Sequence, residues 1–348
     1  MWSFFRPRGL SERRPDLSAI TPQPTRRESS RVRAGQLLQR YGVLVALALL
    51  VLFGSLRYEG FLSTYNVFSV LGYNSMFGLV ALGMAFVIMT GGIDLSVGSV
   101  AAFASVIAAL LSPHGLWPAL LGAVAAATLL GLINGLVVAY LKILPFIATL
   151  AMLLAARGLA LMFAGDQSVS VDSEHGFTTF GQGNIGGVPF TAILLFVAFA
   201  VGAALLRSTR FGRHVLAVGG NEEAARLMGL PVERTLVGVY VLSGALAGLA
   251  GVILASQFGA GQPTEGLGWE LTAIAAVVVG GTLLTGGSGS VGSTLVGVLL
   301  LGIIFNILNF ENGRGTISLS AYWQSVIRGA FLLLVVVLQN RLTRGRRT

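Results

Sequence analysis

The chain has 348 residues, 54% of them hydrophobic and 11% charged, and its mean hydropathy of +0.81 leaves too little polar surface for a water-soluble globule. A bilayer crossing takes about 20 mostly apolar residues, so about ten crossings use roughly 200 residues and leave no room for a sizeable soluble domain. With 47 glycines, 10 prolines, no cysteine and apolar runs that are continuous instead of alternating, the composition points to closely packed transmembrane helices and excludes disulfides and thiol chemistry.

Residues 1–40 are rich in Arg, Pro and Ser, lack apolar periodicity, and are predicted to form a disordered cytoplasmic tail held near anionic lipid. The first apolar run starts too late for a signal peptide, and no small-residue cleavage pattern follows it. Apolar segments then lie near 41–56, 71–89, 97–111, 119–141, 146–164, 188–206, 236–256, 271–285, 291–308 and 321–338. The net charge of +9 comes from 22 Arg and one Lys against 14 acids, and the Arg cluster in three places: nine within 1–40, five from Arg207 to Arg234, and four in the tail 341–348. By the positive-inside rule both termini and the loop 207–235 face the cytoplasm, which demands even numbers of crossings. Six segments precede that loop and four follow it. The expected fold is therefore an all-α polytopic bundle of about ten helices spanning 41–340.

Thr90-Gly91-Gly92-Ile93-Asp94-Leu95-Ser96-Val97-Gly98-Ser99 is echoed, one residue shorter, by Thr285-Gly286-Gly287-Ser288-Gly289-Ser290-Val291-Gly292-Ser293. Each copy joins two apolar segments on the predicted inner side. Unwound backbone at membrane depth is tolerated only where it lines a cavity or is buried in protein, so these breaks mark a transport pathway or else tight turns. Asp94 either serves that pathway, caps the helix beginning near Ser96, or pairs with an Arg such as Arg157. The pairs Gly131/Gly135 and Gly244/Gly248 read as close helix packing.

In the central loop, Asn221 is an N-cap, Glu222 and Glu223 complement the positive end of a helix dipole, Gly229 suits a left-handed position past the last turn, and Pro231 stops continuation. The resulting two-turn helix carries an apolar stripe of Ala224, Leu227 and Met228. That stripe fits a groove on another protein, or the membrane or bundle surface. Soluble-enzyme chemistry has no support: His114, His175 and His214 are far apart, no Ser lies in a G-x-S-x-G elbow, and no phosphate-binding loop surrounds Lys142. No catalytic, cofactor or metal site is predicted, and no nucleic-acid partner.

Several motifs in fixed order, Gly91-Gly92-Ile93-Asp94-Leu95-Ser96-Val97-Gly98, Ile133-Asn134-Gly135, 145–150 with Arg157-Gly158, Arg210-Phe211-Gly212, 218–226, Gln262-Pro263-Thr264 and Trp269-Glu270-Leu271, resemble the membrane subunits of ribose- and galactofuranose-type sugar ABC importers. The resemblance covers 41–340. It implies a multi-pass protein of the bacterial inner membrane, dimeric with itself or with a sister permease. Its partners would be two cytoplasmic ATPases and an extracytoplasmic sugar-binding protein. It also implies that Asn221, Glu222, Glu223, Ala224, Ala225, Leu227, Met228 and Gly229 form the helix that couples to the ATPase. Thr272 departs from the family pattern, which often has an acid there, and the Arg-rich tail is longer than usual. Candidates for the sugar pathway are Asp94, Ser96, Asn74, Asn134, Trp269, Glu270 and Asn306, with Gln324 and Phe86; interhelical hydrogen bonding or packing is the simpler role for most of them. The rival is an ion-coupled secondary transporter of a small polar solute. It is weakened by the sparse ionisable residues in the predicted spans, chiefly Arg157 and Arg328 with Asp94 at an edge.

Overall fold

Glycine placement decides where this apolar chain is helical and where it breaks. The computed structural model describes residues 26–313 and isolated helical positions between 323 and 333, with side chains from residue 42 onward. The chain divides after Gly42 into two units, 1–42 and 43–348, and of the first only the opening of one helix is described.

In chain order the helices are α1 (Arg26–Arg57), α2 (Thr64–Met89), α3 (Val97–Leu111, continued by a 3-10 turn at Ser112–His114), α4 (Leu116–Tyr140), α5 (Pro145–Ala164), the short α6 (Thr179–Gln182), α7 (Phe190–Ser208), α8 (Arg210–Gly220), α9 (Glu222–Leu227), α10 (Val232–Phe258), α11 (Trp269–Val279) and α12 (Val291–Gly313). Two antiparallel ribbons, β1 (Val169–Ser170) with β4 (Ala260–Gly261) and β2 (Asn184–Ile185) with β3 (Val188–Pro189), lie in the loops between helices. Pro145 opens α5 at its first position, where a missing N–H costs nothing, and Gly165 closes it in the left-handed conformation.

Among the described residues seven helices are long and apolar enough to cross a membrane: α2, α3 with its 3-10 turn, α4, α5, α7, α10 and α12. The expectation of ten is thus met for seven. The segment expected at 41–56 is the 16-residue apolar end of α1, Gly42–Arg57, which is short for a full crossing. The segment expected at 271–285 is helical only from Trp269 to Val279, because Gly281, Gly286 and Gly287 take positive φ and the chain stays irregular up to Val291. The tenth expected segment, 321–338, and the tail 341–348 lie outside the described residues, apart from scattered helical positions. Helix α1 begins at Arg26, inside the stretch expected as tail, while residues 1–25 lie outside the description.

Helix α10 packs against α4, α3 and α2, and α2 is buried almost without interruption from Asn74 to Met89. Small residues allow this density. A Cβ on Gly131 of α4 would overlap the Tyr240 carbonyl and sit 3.0 Å from the Gly244 Cα, and one on Gly248 would sit 3.1 Å from the Val124 Cα. The two glycine pairs noted in the sequence therefore lie in a single crossing, α4 against α10, with Gly131 opposite Gly244, Gly135 against Val237 and Gly248 against Val124 and Ala127. Large side chains fill the space beyond: Tyr240, Phe86, Met76, Met84, Leu195 and Ile253 are fully buried.

Candidate functional site

The first glycine-rich break, between α2 and α3, holds the buried carboxylate. Asp94 is 2% exposed. Its Oδ1 accepts from the Ser96 amide at 3.0 Å and the Ser96 hydroxyl at 2.6 Å, and its Oδ2 accepts from the Ser243 hydroxyl of α10 at 2.8 Å. Asn134 of α4 donates to the Ser96 hydroxyl at 3.0 Å, and Thr149 of α5 donates to the Ile93 carbonyl at 3.2 Å. The break is thereby tied to α4, α5 and α10 at once. Arg157 is not the partner of Asp94, since its Nη1 donates to the Pro263 carbonyl. The carboxylate oxygens are satisfied by neutral donors, so the arrangement holds backbone in place without an ion pair.

The second break, after α11, meets the first. The Gly287 amide donates to the Met89 carbonyl at 3.0 Å, the last carbonyl of α2. A Cβ on Gly286 would lie 2.7 Å from the Gly91 nitrogen, and one on Gly287 would lie 2.7 Å from the Gly220 Cα. A Cβ on Gly219 would overlap the Met89 carbonyl and lie 2.6 Å from the Gly287 nitrogen. Three glycine pairs, Gly91-Gly92, Gly219-Gly220 and Gly286-Gly287, thus converge from three distant parts of the chain. The middle pair comes directly before Asn221.

Asn221 caps α9 through its Oδ1, which accepts from the Ala224 amide at 2.8 Å, and Gly229 closes the turn at φ +76. Arg226 bridges Glu222 at 3.0 Å and also Glu233 at the start of α10, while Lys142 from the α4–α5 turn reaches Glu233 at 3.3 Å. The hydrogen bonds that it donates to Glu233 and then to Glu222 hold the Arg226 guanidinium above its ordinary pKa. Ala225 is fully buried against Ala139, Val218, Val232 and Leu236. Leu227 and Met228 are 84% and 69% exposed. The face expected to meet another protein is therefore Leu227 and Met228, with Ala224 half-buried beside them, whereas Ala225 anchors the helix to its own bundle.

The remaining pathway candidates do not form one site. Asn74 donates to the Val70 carbonyl, Asn306 and Asn66 exchange hydrogen bonds at 2.9 and 3.1 Å, Trp269 packs on Phe77 with ring centroids 4.8 Å apart, and Phe86 stacks on Phe211 at 6.4 Å. Gln324 lies outside the described residues. Glu270 is half-buried at the start of α11, where a Cβ on Gly98 would come within 3.0 Å of its Oε2. Nε and Nη2 of Arg157 are buried with no hydrogen-bond partner among the described residues. In the long loop before α7, Asp172 accepts from the His175 ring and the Glu174 amide, which holds its carboxyl below the usual range. Among the described residues no group of acidic or histidine side chains has the arrangement of a metal site.

Sequence reasoning passed over Ser243, Tyr240 and Glu233, and had Gly219-Gly220 only as part of the family-like stretch 218–226. Ser243 had a visible signal, a hydroxyl in the middle of an apolar helix beside Gly244; the others depend on contacts between distant segments.

The fold defines a polytopic helical membrane protein whose two glycine-rich breaks meet beside a short surface helix. Residues 66–336 match the family described as branched-chain amino acid transport system / permease component, and the chain belongs to that family. It is 41% identical over 323 residues to the ribose import permease protein RbsC of Bacillus subtilis (strain 168), covering 90% of this chain and 97% of that protein. It is 39% identical to the RbsC of Escherichia coli (strain K12), over 86% of this chain and 92% of that one. The L-arabinose transport system permease protein AraH of Escherichia coli (strain K12) is 36% identical, over 95% of this chain and all of that protein. No solved structure gives a significant match.

Proposed function

We propose that this chain is the membrane-spanning subunit of a bacterial ABC importer that carries a neutral monosaccharide of the ribose or arabinose class. The likeness to ribose and L-arabinose permeases along nearly the whole chain carries the reading. The sequence has no phosphate-binding loop of its own, so ATP hydrolysis belongs to two partner ATPases, and an extracytoplasmic binding protein supplies the sugar. The subunit works as a dimer with itself or a sister permease. Its topology is ten membrane crossings with both termini in the cytoplasm, so that α8, α9 and the glycine junction face the ATPase and the ribbons face the outside.

Helix α9 is the coupling element. Its exposed Leu227 and Met228 enter a groove on the ATPase, and the Arg226–Glu233–Lys142 bridge passes a push on α9 to α10 and to the α4–α5 turn. From α10 the displacement reaches the Asp94 break through Ser243, and from Gly219-Gly220 it reaches both breaks directly. Alternating access is then a tilt of helices about these two unwound stretches.

The test is uptake in proteoliposomes holding the permease, its ATPase and its binding protein. Sugar should accumulate only with ATP, and a topology reporter should place Gln182 and Gly261 outside and Glu223 inside. Uptake driven by an ion gradient without ATP would establish the secondary-transporter reading instead.

A further inference from the structure

Beside the first glycine break lies a cavity of about 240 Å³, walled by Thr90, Gly92, Pro145, Lys142, Glu222 and Tyr240. It opens between the α4–α5 turn and the start of α9. Tyr240 is fully buried, and its hydroxyl has no hydrogen-bond partner among the described residues. That hydroxyl is next to Gly92, where a Cβ would come within 2.8 Å of it. A buried polar group without a partner is costly, so this one gains a hydrogen bond from any ligand or water that the cavity admits as far as Tyr240. Thr90 adds a second hydroxyl, which donates to the Val87 carbonyl at 2.7 Å and keeps its lone pairs free to accept.

The charges in the wall argue for what enters. Lys142 is paired with Glu233, and Glu222 with Arg226, so an ionic ligand would have to break an existing pair to gain one. A neutral molecule with several hydroxyls meets Tyr240 and Thr90 without that cost. The volume lies below the roughly 300 Å³ at the small end of ordinary ligand pockets, which suits one sugar ring and not a disaccharide.

We propose that this cavity is a second monosaccharide site, on the coupling-helix side of the permease, through which sugar already in the cytoplasm slows further import. This rests on the reading of the chain as a sugar permease. Occupancy would wedge apart Glu222 of α9 and the Gly91-Gly92 backbone, the surfaces that must move against each other when the ATPases close. The ligand class is a neutral pentose or hexose.

The experiment uses the complete transporter in proteoliposomes with the ATPases facing the medium, binding protein and sugar inside, and ATP outside. D-ribose or L-arabinose is then added to the medium over a range centred on about 1 mM, where weak single-ring binding falls. The expected result is ATP turnover and transport that decline with external sugar. Tyr240→Phe and Thr90→Val should each shift the inhibitory concentration upward by about 3- to 10-fold, the worth of one hydrogen bond. Tyr240→Phe removes a hydroxyl that bonds to nothing described, so its thermal stability should equal or exceed that of the wild type. Transport that proceeds but ignores sugar in the medium overturns this site and leaves the permease reading intact. Inhibition unchanged in both variants places the sugar elsewhere and overturns it too, whereas no ATP-driven sugar transport at all removes both readings.

Discussion

Replacing Leu227 and Met228 together by Asp should abolish co-purification of the ATPase while the permease accumulates in the membrane at its normal level. Both side chains stand out from the tip of α9, at 84% and 69% exposure. Burying each in a partner's groove contributes about 1.5–3 kcal/mol, and a carboxylate there would be desolvated without a counter-charge. Within the chain itself an exposed substitution costs no more than about 0.5 kcal/mol. The measurement is the ratio of ATPase to permease after affinity purification, which should fall by at least about tenfold. A normal ratio with normal uptake would remove α9 from the coupling interface. Ala225 is unsuitable for this test even though it lies on the same helix. It is fully buried among Ala139, Val218, Val232 and Leu236, so Ala225→Asp would report on the packing of the loop.

The largest loss of stability is expected at the α4–α10 crossing. Gly131→Leu or Gly244→Leu forces a side chain into a contact where even a Cβ meets backbone, at 3.0 Å for the facing Cα atoms. Overpacking of a close-packed interior costs about 1–3 kcal/mol, and here the neighbour is main chain that cannot rotate away. Both variants should unfold at clearly lower temperature in detergent. Gly158→Leu supplies the control. Nothing lies within 4 Å of a Cβ at that position on α5, and replacing a mid-helix glycine gains up to about 1 kcal/mol of helix propensity. Equal melting temperatures for Gly131→Leu and Gly158→Leu would contradict the backbone contact.

The range of each interaction decides how much of the fold and the site is legible in the sequence. Helix α9 is readable because caps are local: Asn221, Gly229 and Pro231 act within a turn of where they stand. The apolar runs 97–111 and 146–164 correspond closely to α3 and α5, since continuous hydrophobicity needs no partner to be recognised. The run 271–285 does not survive as one helix, because glycines at 281, 286 and 287 unwind the chain where hydropathy is still high. The repeat at Gly91 and Gly286 is visible, but not that its copies touch each other and Gly219-Gly220. The pathway candidates mix side chains with different employments: Asn74 and Asn306 satisfy neighbouring helices, while Asp94, Ser96 and Asn134 form one cluster with Ser243, 149 residues from Asp94 in sequence. Composition shows that a polar group is buried, and only the fold shows whom it answers to.

Helix α11 has 11 residues, about 16 Å of rise against a hydrocarbon thickness of about 30 Å. Its continuation has no helical ladder of its own, and the Gly287 amide is held by the last carbonyl of α2. Deuterium can therefore reach that amide only when α2 and the α11 end separate. Opening of this stretch has to break that bond and also the close backbone packing of Gly286 on Gly91 and of Gly287 on Gly220, at the end of a helix buried throughout its last four turns. A stretch that looks, by composition, like the loosest linker in the chain should exchange its Gly287 amide as slowly as a core helix.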